Sequence, residues 1–427
     1  MNNASSNVAQ PASAVAAHAD LLLLQDFFPQ IGGAHAWLYE VYRRWTTRVV
    51  VLTRDETAHR AAQAAFDARD QGALHIVRDD IVVKEINLLK PASWRAMLRV
   101  VSRLQALRAG RAARIHCVRA FPEGFCGLMA RALRRRSTRL IVYAHGEETL
   151  VARSSRQLKF IARTVYANAD LVIANSQNTV RLVRELCPAA RVVCVHPGVD
   201  TRAYQIDAQR AAEFRKRWAW PADTIIVSTI ARMEPRKNQD AVLHAVAELR
   251  AAGLALGYVC AGDGAERGAL ERRAKELGIA EWVRFPGALS ESDKLLTYAA
   301  SDIYAMPSIQ AGEMIEGFGI VFLEAAAAGI PAICGSIGGQ PEAVSAEVTG
   351  IVVDGNDAAA VTAALRRLAS DPALRSRMGV AARRRATEFD WSHMAAAAAQ
   401  VIELHVPAAA LSRGNGPRTL TREAERS

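Results

Sequence analysis

Two short segments of the 427-residue chain carry residue types that suit a phosphate-bearing ligand. Gly33 and Ala34 follow an apolar run, and Arg232 and Lys237 follow another. Glycine lets backbone N–H groups approach an anion at the start of a helix. Arginine offers a planar fork to phosphate oxygens and lysine a point charge, so together they neutralise a diphosphate without a metal ion. A diphosphate site is therefore predicted, with a tight turn and a solvated basic turn as the alternatives.

A third segment places two glutamates around the start of a predicted helix. Glu316 precedes Phe318 and Gly319, and Glu324 lies inside the apolar helix that begins there. The helix dipole and its free N–H groups favour a phosphate at this end. At about 1.5 Å per residue, Glu324 lies about 7.5 Å further along the helix axis. Glu316 is therefore predicted to hold a sugar and Glu324 a ribose, and the cost of burying an unpaired carboxylate argues against a merely solvated Glu324.

His145 ends a further apolar run, where imidazole is suited to carrying protons near neutral pH. A structural histidine at the end of a strand is the alternative. No metal site is expected, because the six cysteines are scattered singly and no Asp-x-Asp pair occurs. A dinucleotide fingerprint is also incomplete, since Arg267 stands where its third glycine belongs, and no P-loop is present.

Short apolar runs alternate with amphipathic stretches along the chain, which predicts an α/β protein with two Rossmann-like domains. The break between them falls within residues 197–223, and residues 1–19 and 407–427 are expected to be disordered. The predicted strands are 21–24, 48–52, 114–118, 140–144, 171–174 and 192–196 in the first half, and 225–230, 256–261, 282–285, 303–306, 332–334 and 350–353 in the second.

The order of these motifs resembles the retaining GT-B glycosyltransferases of family 4, also called glycosyl transferases group 1. The resemblance runs over residues 20–405 and is carried most specifically by the Glu-x7-Glu spacing with the basic segment upstream. It implies a first, acceptor-side domain at 20–198, a nucleotide-sugar domain at 199–388 and a helix at 389–406 that crosses back. The motifs are Gly32-Gly33, His145-Gly146, His196-Pro-Gly198-Val-Asp200, Arg232 to Asn238, Gly262-Asp-Gly264, Phe285-x-Gly287, Pro307-Ser308, and Glu316-Gly-Phe-Gly319 with Glu324.

The resemblance also implies roles for single residues. Catalytic roles fall on His145, Arg232, Lys237 and Glu316, with His145 beside the anomeric carbon. The residues expected to bind the donor are Gly33, Ala34, Arg232, Lys237, Arg284, Phe285, Glu316, Phe318, Gly319, Ile320 and Glu324.

The expected reaction is transfer of a mannose-, glucose- or N-acetylglucosamine-type hexose to a lipid-linked or oligosaccharide acceptor. The donor would be a GDP- or UDP-linked sugar, without cofactor or metal. Retention of configuration comes from the resemblance alone. A nucleotide-sugar epimerase of the same fold and a non-catalytic basic binding protein are the alternatives.

The net charge of +11 is concentrated in one stretch, since residues 95–163 contain 16 basic and 3 acidic residues. A predicted helix at 94–107 combines an apolar stripe of Trp94, Met97, Leu98, Val101 and Leu104 with three arginines. An anionic membrane surface is the favoured partner, a solvated basic helix is the alternative, and nucleic acid is disfavoured because no reading motif is present. The residues assigned to this membrane surface are Arg95, Arg99, Arg103, Arg134, Arg135 and Arg136.

No lysine or arginine precedes Arg43, and no uninterrupted apolar run is long enough to span a bilayer. The expected location is therefore cytoplasmic, peripheral on the inner face of the cytoplasmic membrane.

Overall fold

The computed structural model describes residues 20–28, 32–70, 74–107, 114–133 and 138–407. The two termini that are predicted to be disordered lie outside these ranges, apart from residue 407. Arg134, Arg135 and Arg136 of the predicted membrane surface also lie outside the described residues.

The first domain is built on one parallel sheet. Its order is β3-β2-β1-β4-β5-β6-β7, so the carboxyl ends of all strands meet at one edge, where such sheets bind ligands. In the described part of the chain its strands are β1 (Asp20–Leu23), β2 (Val49–Arg54), β3 (His75–Asp79), β4 (Arg114–Cys117), β5 (Arg139–Ala144), β6 (Leu171–Ala174) and β7 (Val192–Cys194).

Helices cover both faces of this sheet because successive strand residues point in opposite directions. Leu21 and Leu23 belong to one hydrophobic cluster, and Leu22 and Leu24 to the other. The helices are α1 (Gly33–Tyr42), α2 (Arg60–Arg69), α3 (Pro91–Leu107), α4 (Phe125–Ala132), α5 (Glu147–Ser154), α6 (Arg156–Asn168) and α7 (Gln177–Leu186).

The second domain repeats this plan with a parallel sheet in the order β10-β9-β8-β11-β12-β13. Among the described residues, its strands are β8 (Ile225–Ile230), β9 (Leu256–Ala261), β10 (Val283–Gly287), β11 (Ile303–Met306), β12 (Ala332–Gly335) and β13 (Gly350–Val353). Its helices are α8 (Ala208–Arg215), α9 (Gln239–Ala251), α10 (Arg267–Glu276), α11 (Glu291–Ala299), α12 (Ile320–Ala328), α13 (Gln340–Ala343), α14 (Ala358–Ser370) and α15 (Pro372–Ala386).

A final helix, α16 (Trp391–His405), packs back onto the first domain. Its Ala398 and Ile402 are fully buried in the same cluster as Leu22. The chain crosses between the domains at Gly198, where a Cβ atom would lie 2.6 Å from the carbonyl oxygen of Phe389. Only glycine allows the two crossing segments to lie this close. No helix among the described residues has both the length and the apolar character to cross a bilayer.

The prediction of two Rossmann-like domains is confirmed, with two differences in detail. The edge strand β3 was not predicted, because His75–Asp79 is short and only partly apolar. The predicted stripe on α3 is wrong at Leu98, which is 52% exposed, whereas Val100 is buried. The helix turns 100° per residue, and this geometry places Val100 rather than Leu98 beside Met97 and Leu104.

Candidate active site

The starts of α1 and α12 face each other across the junction between the domains. A Cβ atom on Gly33, the first residue of α1, would lie 3.5 Å from Cδ1 of Ile320, the first residue of α12. Gly319 is the N-cap residue of α12, and its φ of 90° is a left-handed conformation that favours glycine. Because glycine has no side chain, no side-chain cap accepts hydrogen bonds from the first N–H groups of the helix. Ala34 follows Gly33 in α1. Unpaired N–H groups of two helix starts therefore lie at one junction, which is the arrangement that binds an anion.

Three cations and two carboxylates form a chain of ion pairs just before α12. Lys237 and Arg236 both donate to Glu316, with 3.1 Å between Arg236 Nη1 and Glu316 Oε2. Arg236 Nε also lies 3.0 Å from Glu234, whose other oxygen lies 2.7 Å from Arg232. Arg236 and Lys237 are buried, whereas the side chain of Arg232 is 69% exposed. Because its side chain is exposed, Arg232 can move towards an incoming anion.

Glu316 is held in its charged form. Burial alone would raise the pKa of this carboxyl group, but the charges of Lys237 and Arg236 hold the pKa below its usual range. Glu316 therefore acts as a hydrogen-bond acceptor and not as a proton donor. A carboxylate in this state binds hydroxyl groups, which agrees with the sugar-holding role that the sequence predicts.

The turn at Pro235–Lys237 presents these cations rigidly. Asn238 closes the turn in a left-handed conformation with φ of 58°. Its side-chain amide donates to the carbonyl oxygens of Pro307 at 3.0 Å and Gly355 at 2.7 Å. The loops that follow β8, β11 and β13 are thereby tied together at the carboxyl edge of the sheet.

Glu324 lies one helix turn further into α12 and is paired, as the sequence argument requires. Its oxygens accept hydrogen bonds from Lys294 Nζ at 3.1 Å and Tyr298 Oη at 2.9 Å. The side chain of Glu324 is 14% exposed, so it keeps some contact with the surface. Tyr204 also forms a side-chain hydrogen bond with this carboxylate. Each carboxylate oxygen has two lone pairs, so these three hydrogen bonds leave acceptor capacity for a ligand hydroxyl.

The surroundings of His145 bear on the prediction that it carries a proton near neutral pH. The residue is half-buried, its Nε2 lies 2.8 Å from the carbonyl oxygen of Val118, and its ring meets Trp37 edge to face at 5.7 Å. Burial, assisted by the charge of Arg119, lowers the pKa of His145 to about 4. The imidazole is therefore neutral at pH 7, with Nε2 as the donor to the carbonyl oxygen of Val118.

Three predicted donor residues engage their side chains elsewhere. Arg284, on the edge strand β10, donates to the carbonyl oxygens of Glu281 and Trp218. Phe285 follows on the same strand, and Phe318 packs its ring 5.2 Å from His196 at the domain junction. These residues are not brought into contact with the ion pairs of Glu316 through their side chains. Only their backbone groups are left for a ligand, which is the form of readout that the sequence predicts.

The loop before α12 touches the first domain at Gly317. A Cβ atom there would lie 2.2 Å from the carbonyl oxygen of His145 and 2.7 Å from Nδ2 of Asn175. Asn175 also donates to that same carbonyl at 3.3 Å. The backbone of the predicted sugar-binding loop is thus packed directly against the strand end that carries His145.

Two residues of this junction escaped the sequence analysis. Arg236 was passed over between Arg232 and Lys237, although it is the buried partner of Glu316. Glu342 of α13 binds the first domain, accepting from the backbone N–H groups of Gln177 at 2.7 Å and Asn178 at 2.9 Å. The glycine pair at 338–339, which precedes a helix just as the pair at 32–33 does, is the signal that could have drawn attention to Glu342.

A cleft of about 440 Å³ opens between α5, α7 and the loops after β11 and β12. This volume is typical of small-molecule sites. Ile315 lines the cleft and immediately precedes Glu316, so the cleft continues from the chain of ion pairs. It is lined by Leu150, Arg153, Asn178, Arg181, Leu182, Gln310, Ile315, Ser336, Ile337 and Gly338.

The predicted membrane surface on α3 is less positive than its sequence indicates. Arg103 pairs with Asp79 and Arg99 with Asp80, at the end of β3 and directly after it. Arg95 is exposed and has no acidic partner among the described residues. The charge count over residues 95–163 did not include these two carboxylates, because Asp79 and Asp80 precede that range in the sequence.

A second basic surface lies on α6. Arg156, Lys159 and Arg163 are exposed, without an acidic partner among the residues that the structure describes, and they surround Phe160, which is 63% exposed. These side chains border a groove of about 570 Å³. Because α4 packs against both α3 and α6, all three helices cover the same face of the first sheet.

Comparison with known families agrees with this architecture. Residues 31–203 match the family model described as Glycosyltransferase Family 4, and residues 211–385 match the model described as Glycosyl transferases group 1. Together the two models cover both domains.

One curated relative matches nearly the whole chain, and another matches about half of it. The chain is 31% identical over 393 residues to the GDP-mannose-dependent alpha-(1-6)-phosphatidylinositol monomannoside mannosyltransferase of Mycolicibacterium smegmatis, covering 90% of this chain and 97% of that protein. It is 38% identical over 249 residues to the D-inositol 3-phosphate glycosyltransferase of Streptomyces avermitilis, covering 56% of this chain and 52% of the relative.

Solved structures share the fold at low sequence identity. A crystal structure of HepE from Anabaena, in complex with UDP and glucose, superposes with a TM-score of 0.75 at 19% identity, covering 91% of this chain and all of that one. Sucrose-phosphate synthase from Thermosynechococcus elongatus gives a TM-score of 0.73 at 20% identity, covering 91% and 98%. The family resemblance predicted from the motifs is thereby confirmed: the chain belongs to the family 4 glycosyltransferases with the GT-B fold, and it is a hexosyltransferase.

Proposed function

We propose that this enzyme transfers a hexose from a nucleotide-diphosphate sugar to a lipid-linked or oligosaccharide acceptor, with retention of configuration and without a metal ion. The observation that carries this proposal is the chain of ion pairs from Arg232 to Glu316 beside two facing helix starts. Arg232, at one end of this series of ion pairs, suits a diphosphate, and Glu316, at the other end, suits the hydroxyl groups of a sugar.

Each part of the site contributes a separate effect. The helix starts at Gly33 and Ile320 supply N–H groups to the diphosphate. Arg232 and Lys237 neutralise the charge that grows on the diphosphate as its bond to the sugar breaks. Glu316 holds sugar hydroxyls as a carboxylate, and Glu324 holds the ribose. Neutral His145 orients the reacting groups and contributes no charge of its own at pH 7.

GDP-mannose and an inositol-phosphate lipid or glycan are the first substrates to test. The relative from Mycolicibacterium smegmatis, which matches almost over its full length, is named for a GDP-mannose donor and a phosphatidylinositol mannoside acceptor. The relative from Streptomyces avermitilis is named for D-inositol 3-phosphate. The bound UDP of the Anabaena structure carries little weight for the choice of base, since at 19% identity that likeness shows the fold alone.

A thermal-shift panel tests the donor. GDP, UDP and ADP, each alone and as its mannose, glucose and N-acetylglucosamine conjugates, are added to the purified enzyme, and GDP-mannose is expected to raise the melting temperature most. An assay with a labelled donor and a lipid extract then identifies the acceptor, and NMR of the product gives its anomeric configuration. Label found in free sugar only would support an epimerase, and a panel without any shift would support a non-catalytic protein.

Metal independence has its own test. Arg232 and Lys237 supply the positive charge that a magnesium ion would otherwise provide to a leaving diphosphate. Transfer is therefore expected to continue in excess EDTA. Complete loss of transfer that added magnesium restores would contradict this part of the proposal.

The membrane-facing surface is proposed to be the face formed by α3, α4 and α6, and not α3 alone. Arg95 on α3 and the unpaired basic residues of α6 give positive charge, while exposed Phe160 offers a side chain that inserts at the interface. Each basic residue near an anionic bilayer contributes about 1 kcal/mol. These features support the proposal that the enzyme lies peripherally on the inner face of the cytoplasmic membrane, where a lipid-linked acceptor would be found.

Sedimentation with anionic and neutral liposomes tests this surface. The triple variant Arg156→Glu, Lys159→Glu and Arg163→Glu is expected to bind anionic vesicles at least tenfold more weakly than the wild type. The matched control is Arg272→Glu with Lys275→Glu on α10 of the second domain, where both side chains are also exposed. Equal binding by all three proteins would rule out the α6 surface.

A further inference from the structure

Three potential metal ligands from distant parts of the chain meet where the two domains join. Cys194 ends β7, His196 follows two residues later, and Glu342 lies on α13 of the second domain. One ligand atom from each residue lies within 4.8 Å of the other two. Sγ of Cys194 is 3.5 Å from Nε2 of His196, and that nitrogen is 2.8 Å from Oε2 of Glu342.

These atoms match the preferences of zinc. Zinc binds thiolate, imidazole and carboxylate, with Zn–S distances of about 2.3 Å and Zn–N distances of about 2.0 Å, mostly in a tetrahedron. Ligand atoms at those distances are separated by about 3.6 Å for sulfur and nitrogen and by about 3.3 Å for nitrogen and oxygen. The first separation already agrees with the observed 3.5 Å, and the second requires Glu342 to move by about half an ångström from its observed 2.8 Å contact.

We propose that Cys194, His196 and Glu342 form a zinc site that links the two domains, with water as the fourth ligand. On binding, the Cys194 thiol releases its proton to solvent and the thiolate coordinates the ion. His196 coordinates the ion through Nε2, with its ring proton on Nδ1, and any further proton is released to solvent. None of the three ligands is among the residues proposed to bind the donor, so this inference does not depend on the proposed substrates.

The surroundings hold the ligands in place. The carboxylate of Glu342 accepts the backbone N–H groups of Gln177 and Asn178, and its own carbonyl oxygen accepts from Arg385 Nη2 at 2.9 Å. The ring of His196 lies 5.2 Å from that of Phe318 and is also flanked by Phe389. Outer partners of this kind orient metal ligands and raise the affinity of a site.

The position of the site predicts its effect. Two ligands belong to the first domain and one to the second, so a bound ion restrains their relative movement. Substrate entry and product release in a two-domain cleft need that movement. Zinc is therefore expected to slow turnover reversibly, and the enzyme without zinc is expected to remain active.

The replacement Cys194→Ser tests the proposal directly, because it removes the thiolate and leaves the contact between His196 and Glu342. The full-length protein is freed of metal with EDTA and dialysed, and its affinity for zinc is measured against a chromogenic chelator. We expect one zinc ion per chain, bound at least tenfold more weakly by Cys194→Ser. Cobalt(II) added to the wild type should give a thiolate-to-cobalt absorption band that Cys194→Ser lacks.

The control is Cys187→Ser, which removes a buried thiol outside the cluster and should leave zinc affinity unchanged. Turnover of Cys194→Ser without zinc should equal that of the wild type, with weaker inhibition by added zinc. If the wild type binds no zinc, or if Cys194→Ser binds it equally well, the three residues form only a hydrogen-bonded contact between the domains and the proposal fails. Neither result would affect the proposed transferase activity.

Discussion

Replacing Gly317 by alanine is expected to impair the closed arrangement of the two domains. Real Cβ atoms do not approach other heavy atoms closer than 3.0 Å, but this one would lie 2.2 Å from the carbonyl oxygen of His145. At least 0.8 Å of displacement is therefore required. The loop is held in place by Gly339, which packs against the carbonyl group of Gly317 and donates its N–H to the backbone carbonyl oxygen of Glu316 at 3.0 Å. The domains must move apart instead, which separates Glu316 from His145.

A misplacement of about 1 Å between reacting groups costs about 100-fold in rate, or about 2.7 kcal/mol in transition-state stabilisation. We expect kcat/KM for the donor to fall by this factor in Gly317→Ala, measured in the transfer assay, while circular dichroism shows folded domains. The matched control is Gly268→Ala on α10, where the new Cβ atom would meet only Arg272 Nη1 at an ordinary 3.5 Å. If Gly317→Ala retains kcat/KM within twofold of the wild type, the reacting enzyme does not use the domain contact seen in the structure.

Further predictions concern the charges and buried groups of the site. Glu324→Ala should raise the donor KM about 10- to 100-fold, because a hydrogen bond to a charged group contributes about 1.5–3 kcal/mol, and an unchanged KM would exclude ribose binding. Arg232→Ala should lower kcat about 100- to 1000-fold, and wild-type turnover would remove it from the diphosphate clamp. His145 has a pKa of about 4 in the folded protein, below that of an unfolded histidine, so the unfolded chain binds its proton first as the pH falls. Urea unfolding should therefore show stability decreasing between about pH 6.5 and pH 4, by up to about 3 kcal/mol from this group, and a His145→Gln variant with the same pH slope would contradict the assignment. Arg114→Met should destabilise the enzyme by about 3–5 kcal/mol in the same experiment, since it removes the buried ion pair of Asp20 and leaves that carboxylate only His116 Nε2, 3.6 Å away. A smaller change would mean that His116 compensates for the lost charge.

Local sequence patterns were sufficient to predict most of the sheet structure. Strands such as Ile225–Ile230 and Leu256–Ala261 are short apolar runs between turn residues, and their bounds in the structure equal the predicted ones. Helix α12 begins at Ile320, next to the predicted start at Gly319. The strand His75–Asp79 was missed because it lies at the edge of the sheet and its pairing with β2 is not encoded in its own apolar pattern.

Local sequence patterns predicted the candidate site only in part. Lys237 and Glu316 were placed at one edge because both follow parallel strands, and their ion pair agrees with that placement. The partner role of Arg236 and the lowered pKa of His145 depend on burial, which no spacing along the chain reveals. The membrane-surface hypothesis on α3 overcounted free charge for the same reason, as Asp79 and Asp80 reach it from another segment.

By itself, the sequence determined the two-domain α/β architecture, the family and the set of candidate donor residues. These follow from periodicity, turn chemistry and strand ends, which act over a few residues. Only the tertiary structure decided which charges neutralise each other, that His145 is neutral, and that His196 meets Glu342 across 146 residues of chain beside Cys194. Such contacts arise from the packing of whole domains against each other, and ionisation follows the resulting burial and distances.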